Sequence, residues 1–449
     1  MAAQAITLPP EVESALARAQ VPREALSVVV ADAEAPRKAP RLAWQAQAPV
    51  NPASVMKLVT TYAALDQLGP AFTWNTPVYL EGSVQGGTLH GNAYIQGQGD
   101  PQLVMERLWL LLRRLQAQGV QAIAGDIVLD HSAFQLPEHD PGLFDGEPLR
   151  AYNAAPDALL INYQALTLTF VPDAAAGLAR VAYDPPLAGM SLQPTVPLAA
   201  AGTACGDWRA GLRAELEGAR IAFQGVYPAA CGERPWSMAP VDAQRFAARA
   251  VEGMWRALGG RLSGQVRDGR VPAELQPVFS QPSLPLGEVV RSVNKFSNNV
   301  MAQQIFLTLG LQKNGAGSFD AARAALRQWW QRRVGDDAPV LDNGAGLSRS
   351  ERISAQALAR MLQAAWASPV MPELLASLPI AGLDGTLHRS QSRATAHLKT
   401  GSLRDVAAIA GYVDGAGGHR WVLVAIINHA NAAAARPALD ALIDWTARD

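Results

Sequence analysis

The chain has 449 residues, of which 49% are apolar and 17% charged, and its 38 basic and 39 acidic residues leave a formal charge of -1. At roughly 150 residues per domain, this length predicts two or three domains with ample room for a hydrophobic core. The composition excludes a disordered chain, and the balance of charges excludes a nucleic-acid-binding footprint, so no nucleic-acid partner is expected. No apolar run reaches the 18 or more residues of a membrane span, so we expect peripheral membrane contact at most.

The N-terminal residues 1–5, Met-Ala-Ala-Gln-Ala, lack the basic and apolar regions of a signal peptide. They look like the small residues left after signal cleavage, with a start methionine added. This interpretation bears on Cys205 and Cys231. In a reducing compartment they would be two unpaired thiols, whereas in an oxidising one a disulfide between them would contribute roughly 3 to 4 kcal/mol.

The N-terminal part of the chain is expected to begin a sheet. Two apolar runs separated by a proline-rich segment predict a β-hairpin at residues 26–31 and 41–45. A largely buried helix is predicted over residues 53–69, where Gly69-Pro70 ends it. From about residue 73 to 280 the sequence changes to short β-like runs and turns, which we interpret as an insertion containing one helix at 103–118. The short strands predicted there are 78–80, 93–95, 127–129, 166–170 and 221–223.

After residue 287 the helical period returns and is followed by a β-rich tail. Helices are predicted at 289–311, 319–334, 354–367 and 434–447, and strands at 396–400, 406–413 and 421–427. The hairpin and the tail can join one antiparallel sheet, so the predicted fold class is mixed α+β, an antiparallel sheet flanked by helices with a nested insertion of two smaller lobes. The predicted domains are 1–72 with 280–449 (catalytic), 73–92 with 151–279 (β-rich) and 93–150 (small α/β).

Two side chains at the start of the helix predicted over 53–69 suggest nucleophilic catalysis. Ser54 and Lys57 are three residues apart, so a helix places a hydroxyl group and an amine on one face, about 5 to 6 Å apart at Cβ. Serine is inert at neutral pH unless a base takes its proton, and a desolvated lysine can be that base. About 0.2 such matches are expected by chance, however, and Ser292 with Lys295 forms a second one. Taken alone, the motif therefore favours an ordinary helix cap and a surface lysine.

Two further motifs give the first one weight. Lys399-Thr400-Gly401, expected about 0.01 times by chance, lies on a predicted strand where a glycine lets the backbone approach a substrate. Its ammonium and hydroxyl groups can bind a carboxylate. Ser297-Asn298-Asn299 lies between the other two motifs and offers a proton relay and an amide, although polar tripeptides also cap helices. The ordered set of three motifs is therefore the signal for function.

In this order, Ser-x-x-Lys, Ser-x-Asn and Lys-Thr-Gly resemble the motifs of serine penicillin-binding proteins and β-lactamases. Over essentially the whole chain the sequence most resembles the low-molecular-mass class C D-alanyl-D-alanine carboxypeptidases/endopeptidases, including the long segment 58–296 between the first two motifs. The supporting segments are 97–101, 152–156, 342–349 and 382–387. Where the family usually has Asp-Gly-Ser-Gly-Leu-Ser-Arg, this chain has Asn343 before the first glycine and Ala345 between the two, in a segment that we interpret as structural.

The resemblance implies a penicillin-binding-protein/β-lactamase-like catalytic domain and a role for each motif residue. Ser54 would attack the carbonyl carbon of the penultimate D-alanine, Lys57 would be the base, and Ser297 would relay the proton to the leaving amine. The backbone N–H groups of Ser54 and Ser402 would form the oxyanion hole. The implied substrate-binding residues are Asn299, Lys399, Thr400, Gly401 and Ser402. No cofactor and no metal are implied.

The implied partners are peptidoglycan stem peptides and cross-links, and β-lactam antibiotics that would acylate Ser54 and leave slowly. Because this polymer lies outside the cytoplasmic membrane, the implied location is periplasmic or otherwise extracytoplasmic, which favours a disulfide between Cys205 and Cys231. In the insertion, Asp145 and Glu147, just before Tyr152, are candidates for contact with an amino group at the far end of the cross-linking side chain, and a solvated loop is the favoured alternative.

Two alternatives stay open. A serine β-lactamase of class A needs a glutamate between the last two motifs that activates the deacylating water. Here only Glu351 and Glu373 lie between Asn299 and Lys399, and neither is followed by the usual x-x-Leu-Asn. A non-catalytic cell-wall scaffold would be favoured by loss of the nucleophile or its base, and neither residue is lost. Carboxypeptidase and endopeptidase action are not distinguished, because both cleave a bond that follows D-alanine.

Overall fold

The computed structural model describes residues 7–240, 242–315 and 317–448. Residues 1–6, where the sequence suggested a processed leader, lie outside the described residues. The chain divides into two units: Met1–Thr73, Phe134–Leu136 and Leu284–Asp449 form the first, and Trp74–Ala133 with Pro137–Ser283 form the second. All residues of the three motifs belong to the first unit.

The helices and strands are numbered in chain order. The helices are α1 (Pro10–Arg18), α2 (Lys57–Leu68), α3 (Met105–Ala117), α4 (Ala243–Ala257), α5 (Leu286–Phe296), α6 (Asn299–Asn314), α7 (Phe319–Arg333), α8 (Ala355–Trp366), α9 (Met371–Ser377) and α10 (Arg436–Ala447). The strands are β1 (Leu26–Asp32), β2 (Leu42–Trp44), β3 (Asn75–Leu80), β4 (Ser83–Gln85), β5 (Thr88–His90), β6 (Ala93–Gln96), β7 (Ala122–Ile123), β8 (Ile127–Asp130), β9 (Leu166–Asp173), β10 (Leu178–Asp184), β11 (Ser191–Leu192), β12 (Thr195–Pro197), β13 (Leu212–Glu217), β14 (Arg220–Gly225), β15 (Arg234–Met238), β16 (Arg261–Leu262), β17 (Val266–Asp268), β18 (Pro277–Pro282), β19 (Ala396–Leu403), β20 (Val406–Asp414) and β21 (Arg420–Asn428). Nowhere in the described part of the chain does a helix have the length and apolar sequence needed to cross a membrane.

The first unit is built on one antiparallel sheet with the strand order β19-β20-β21-β1-β2. The whole of β1 pairs with β21, from Leu26 opposite Ile427 to Asp32 opposite Trp421. The N-terminal hairpin and the three C-terminal strands therefore share one sheet flanked by helices, and the predicted fold class is confirmed.

The central strands of this sheet are buried on both faces. Val28 and Val30 belong to a core cluster that also contains residues of α1 and α10. Val29, which points to the opposite face, is 0% exposed, and α8 packs against β1 and β21. Strands with two buried faces read as continuous apolar runs rather than as alternating patterns, which is why β20 and β21 stand out in the sequence.

One predicted helix is interrupted at a functionally important position. The apolar period over 289–311 predicts a single helix, but the structure has α5 and α6 with a break between them. Ser297 lies in this break in a left-handed conformation, with φ of 59° and ψ of 36°. The side chain of Asn298 then accepts a hydrogen bond from the backbone N–H of Met301 at 3.1 Å, which begins α6. The break removes Ser297 from a regular helix and leaves it in the link between two helices.

α1 was not predicted from the sequence. Its start signals are present, since Pro10 stands in the first turn together with Glu11 and Glu13. A helix of nine residues is marginal by itself, so packing decides whether it forms. That packing is supplied by Val12 and Leu16, which are buried in the same core cluster as residues of α10.

In the second unit, one lobe has two sheets, β17-β8-β6-β3-β18 and β16-β7-β5-β4, and a core shared with α3 and α4. The other lobe has the sheets β12-β10-β9-β15 and β11-β14-β13. Its core surrounds Phe170, whose ring stacks on that of Tyr227 with 5.5 Å between centroids. A disulfide joins Cys205 to Cys231, with 4.7 Å between their Cα atoms, at the edge of this core.

The sheets divide the insertion differently from the predicted domains. β6 pairs with β3, and β3 also pairs with β18. The predicted limit between residues 92 and 93 therefore cuts through a hydrogen-bonded sheet, and the segment from 93 to 130 shares strands and core with residues near 75–90 and 243–282. The predicted domain limits were drawn where the local residue pattern changes. Such local changes carry no information on which distant strands pair, and this is why the predicted limits differ from the observed sheets.

Candidate active site

Ser54 lies in a 3-10 turn, Ala53–Met56, that leads directly into α2. Between residues 51 and 65, all of which the structure describes, Ser54 is the only residue that is not buried. The turn packs closely against β19, since a Cβ atom added to Gly401 would lie 2.5 Å from the carbonyl oxygen of Pro52. The glycine of the third motif therefore allows β19 to approach the turn that carries Ser54, and its predicted contact with substrate stays a prediction.

The amine of Lys57 has three hydrogen-bond partners. Lys57 is 0% exposed, and its Nζ atom lies 2.9 Å from Ser54 Oγ, 2.6 Å from Asn299 Oδ1 and 2.5 Å from the carbonyl oxygen of Ala345. The last two acceptors are carbonyl oxygens and cannot donate a hydrogen bond. A neutral amine therefore donates to Asn299 and Ala345, and its lone pair is directed at the hydroxyl group of Ser54.

The environment of Lys57 favours this neutral form. Burial lowers the pKa of Lys57 to about 7, although the charge of Glu351 acts in the opposite direction and raises it. The cause is desolvation, because the charged form of an amine loses more on leaving water than the neutral form does. A group that titrates near neutral pH is well suited to act as a general base there.

A second serine–lysine pair is formed by the other two motifs. Lys399 is 0% exposed and donates to Ser297 Oγ at 2.9 Å and to the carbonyl oxygen of Thr400 at 2.7 Å. Burial, followed by the positive charge of Lys57, lowers the pKa of Lys399 well below its usual value. The second motif connects the two pairs, since Ser297 Oγ accepts from Lys399 and Asn299 Oδ1 accepts from Lys57. The three predicted motifs therefore meet in one site.

Two residues that the sequence analysis did not assign extend this site along β19. Thr386 accepts a hydrogen bond from Thr400, with 2.6 Å between their Oγ1 atoms, and the guanidinium group of Arg436 donates to Ser402 Oγ at 3.2 Å. Thr386 lies in the segment 382–387 that supported the resemblance, so a signal existed. Arg436, at the start of α10, had none, because only the fold brings α10 beside β19.

The segment around Ala345 was interpreted as structural, yet it contacts the site directly. The carbonyl oxygen of Ala345 accepts from Lys57, and that of Gly344 accepts from Thr60 Oγ1 at 2.6 Å. Gly346 lies so close to the nucleophile turn that an added Cβ would be 2.0 Å from the carbonyl oxygen of Ala53. The closely spaced glycines at 344 and 346 were the available signal for this close approach.

The residues predicted in the insertion lie in the second unit. Asp145 accepts from the hydroxyl group of Tyr152 at 2.7 Å and from Asn153 Nδ2 at 2.8 Å, and Glu147 forms an ion pair with Arg150 at 3.4 Å. Burial and then the carboxylate of Asp145 raise the pKa of Tyr152 to about 12. Asp145 and Tyr152 thus form one exposed pair, and their contact with a substrate amine stays a prediction.

A model of the D-Ala-D-Ala carboxypeptidase 3 (S13) family matches residues 8–449. The chain belongs to this family. It is 30% identical over 390 residues to a D-alanyl-D-alanine carboxypeptidase of Actinomadura sp. (strain R39), covering 81% of this chain and 71% of that protein. It is 25% identical to the D-alanyl-D-alanine carboxypeptidase DacB of Haemophilus influenzae over 392 residues, 84% of this chain and 80% of that one.

Two solved structures share the fold of this chain. The crystal structure of penicillin binding protein 4 (dacB) from Haemophilus influenzae superposes with a TM-score of 0.75 at 24% identity, covering 96% of this chain and 99% of that one. A predatory endopeptidase from Bdellovibrio bacteriovorus gives a TM-score of 0.55 at 14% identity, with 94% and 92% covered. These structures share the fold, while the family model and the curated relatives confirm the family predicted from the three motifs, and with it a serine peptidase.

Proposed function

We propose that this family member is a serine DD-peptidase that cleaves the bond following D-alanine in peptidoglycan peptides, as a carboxypeptidase, an endopeptidase or both, through an acyl-enzyme on Ser54. The observation that carries the proposal is the geometry of Lys57. Its Nζ atom lies 2.9 Å from Ser54 Oγ, and its other two acceptors leave the lone pair for the serine proton. A hydroxyl group beside a buried amine that titrates near neutral pH is an activated nucleophile.

In the proposed reaction, Lys57 takes the Ser54 proton as Oγ bonds to the carbonyl carbon of the penultimate D-alanine. The backbone N–H groups of Ser54 and Ser402 stabilise the resulting oxyanion, where one donor is worth about 3 to 4 kcal/mol. When the amide bond breaks, the proton that Lys57 took up passes through the hydroxyl group of Ser297 to the leaving amine, which departs and leaves Lys57 neutral again. Water then attacks the ester, takes the acyl group and returns a proton to Ser54.

The remaining motif residues are proposed to bind the substrate. The Oδ1 atom of Asn299 accepts a hydrogen bond from Lys57. The NH2 group of the same side chain is proposed to orient the peptide. Lys399 and Thr400 would bind the terminal carboxylate, with Gly401 and Ser402 continuing the binding edge. The polymer that contains such peptides lies outside the cytoplasmic membrane, and we propose an extracytoplasmic location for this protein.

β-Lactams are proposed to acylate the same serine. The Haemophilus influenzae protein has been solved in complex with a β-lactam, and the Bdellovibrio bacteriovorus endopeptidase in a penicillin G-acylated form. In this chain, Glu351 is 0% exposed and Oε1 accepts from backbone N–H groups, so it is not placed to activate water in the manner of a β-lactamase. A penicillin adduct on Ser54 is therefore expected to persist.

The test is intact-protein mass spectrometry after incubation with benzylpenicillin. The wild type is expected to gain the mass of one drug molecule, Ser54→Ala to gain none, and Ser292→Ala, which removes the serine of the second Ser-x-x-Lys match, to behave as the wild type. Unmodified wild-type protein with rapidly hydrolysed drug would indicate a β-lactamase instead. Unmodified protein with intact drug would indicate a non-catalytic protein.

The insertion residues give a prediction about substrate choice. Because Asp145 and Glu147 carry negative charge on the exposed surface, we expect the double variant Asp145→Asn, Glu147→Gln to raise KM for peptides that carry a free side-chain amine, about threefold to tenfold. The same peptides with the amine acetylated are the control and should show no change in KM. Equal KM values for wild type and variant with the free amine would refute the contact.

A further inference from the structure

Glu351 is a fully buried carboxylate that the proposed reaction does not use. It is 0% exposed, and its Oε1 atom accepts hydrogen bonds from the backbone N–H groups of Asp342 at 3.1 Å and Gly344 at 2.9 Å. Val340 and Arg352 pair through their backbones and close the loop between them, which we call the 340–352 loop. Glu351 therefore binds this loop from the inside.

The same loop reaches the catalytic lysine with its carbonyl groups. Ala345 accepts from Lys57 Nζ at 2.5 Å, and Gly344 accepts from Thr60 Oγ1 at 2.6 Å. Gly344 thus donates to Glu351 and accepts from α2, and the next residue accepts from the base. The carbonyl group of Ala345 accepts from Lys57, and its position therefore depends on hydrogen bonds that begin at the carboxylate of Glu351.

The charges around Lys57 also single out Glu351. Lys57 and Lys399 are both 0% exposed, and each positive charge disfavours the other. Glu351, from the 340–352 loop, is the carboxylate whose charge acts on Lys57. Burial raises the pKa of Glu351, and the charge of Asp342 acts in the same direction, whereas the N–H groups of Asp342 and Gly344 and the charge of Lys57 favour its ionised form. The other side chains that contact Lys57, Ser54 and Asn299, are uncharged. Buried charges are costly unless an opposite charge compensates them.

We propose that Glu351 is a positioning residue for the Ser54–Lys57 pair, which holds the carbonyl group of Ala345 on Lys57 and supplies the negative charge that faces its ammonium form. This inference rests on the proposed function, in which Lys57 is the base. Glu351 is 0% exposed, and its Oε1 atom is bound by the N–H groups of the loop, so it acts through the loop and through its charge. It thereby sets the pH range in which Ser54 is activated.

Two substitutions separate the hydrogen bonds from the charge. Glu351→Gln keeps an oxygen for the two N–H groups and removes the charge, whereas Glu351→Asp keeps the charge and shortens the reach to the loop by one methylene group. Because the charge of Glu351 raises the pKa of Lys57, its removal lowers that pKa further. The rise of the acylation rate with pH should then move to lower pH in Glu351→Gln, by about one unit.

The control variant is Glu288→Gln, which makes the same chemical change at an exposed position on α5. For all four proteins, the second-order rate of acylation by benzylpenicillin is measured from pH 5 to 10, with thermal unfolding to verify folding. Glu351→Asp should retain the wild-type midpoint but react about tenfold more slowly at every pH, because the loop is displaced. Glu288→Gln should match the wild type in both respects.

A Glu351→Gln midpoint equal to that of the wild type would overturn the proposal. Oε2 of Glu351 has no hydrogen-bond partner among the described residues, so a glutamine nitrogen there would be buried without an acceptor. If that variant does not fold, Glu351→Asp with the wild-type rate at every pH would overturn the proposal instead. A direct titration of Lys57 by NMR with 13C-labelled lysine reads the same shift without acylation. Failure of the wild type to react at any pH would count against the proposed function and leave this titration as the test of Glu351.

Discussion

Replacing Lys57 with methionine is expected to slow acylation of Ser54 by benzylpenicillin about a thousandfold or more, since a positioned general base contributes roughly 10² to 10⁴ in rate. Methionine is unbranched and of similar size, so it fills the buried site but offers no lone pair to the serine proton. Loss of the lysine amine also removes one hydrogen-bond donor from Asn299 Oδ1 and one from the carbonyl oxygen of Ala345. The measurement is the second-order rate of adduct formation followed by quenched-flow mass spectrometry.

The pH dependence of the acylation rate tests the same role of Lys57. With the pKa of Lys57 lowered to about 7 by burial, the wild-type rate should rise with pH through about 7 as Lys57 loses its proton and becomes a base. Lys57→Met should show no such rise. Lys313→Met, which removes an exposed lysine on α6, is the matched control and should follow the wild-type curve. A Lys57→Met rate within tenfold of the wild type would refute the role of this residue as the base.

The second large effect is expected for Gly346→Ala. Gly346 has φ of +77°, and an added Cβ would lie 2.0 Å from the carbonyl oxygen of Ala53, the residue before the nucleophile. Either the 340–352 loop or the turn that carries Ser54 must therefore move. We expect a loss of about 2 to 4 kcal/mol in the free energy of unfolding and at least about a hundredfold slower acylation. Denaturant unfolding and adduct formation are the two measurements.

Gly315→Ala separates backbone strain from the steric clash. Gly315 has φ of +74° at the end of α6, but no atom lies within 4 Å of its added Cβ. This control should lose only about 1 kcal/mol, the ordinary penalty for alanine in a left-handed conformation, and should keep the wild-type acylation rate. Equal losses of stability in the two variants would mean that the approach of the loop to the nucleophile turn is not tight.

Much of the first unit was predictable because its strands leave a local signal. β20 and β21 are buried on both faces and appear as uninterrupted apolar runs, and a hairpin and a meander at the two ends of a chain can pair in few ways. The break between α5 and α6 left no comparable signal. Val289 and Val293 continue the helical period up to it, and a left-handed serine has no compositional marker such as glycine.

The site itself was predictable to the extent that side chains carry its chemistry. Ser54, Lys57, Ser297 and Lys399 were recognisable because three motifs that contain them occur in a fixed order along the chain. The carbonyl oxygen of Ala345 was not, since every residue has one and only the fold brings this one to Lys57. Glu351 was considered only as a water-activating group, because nothing in the sequence reveals that the carboxylate is enclosed by backbone N–H groups.

The pairing of β1 with β21 has a consequence for synthesis of the protein. β1 and Ser54 are synthesised before the partner strand, Arg420–Asn428, and before Lys399, with the whole second unit between them. Long-range strand pairing is slow, and an unpaired apolar strand is prone to aggregate. Until β21 is made, β1 is therefore an apolar strand without its partner in the sheet. We expect Ser54 to stay unreactive until the sheet closes, so that a prematurely terminated chain carries the nucleophile but not the site.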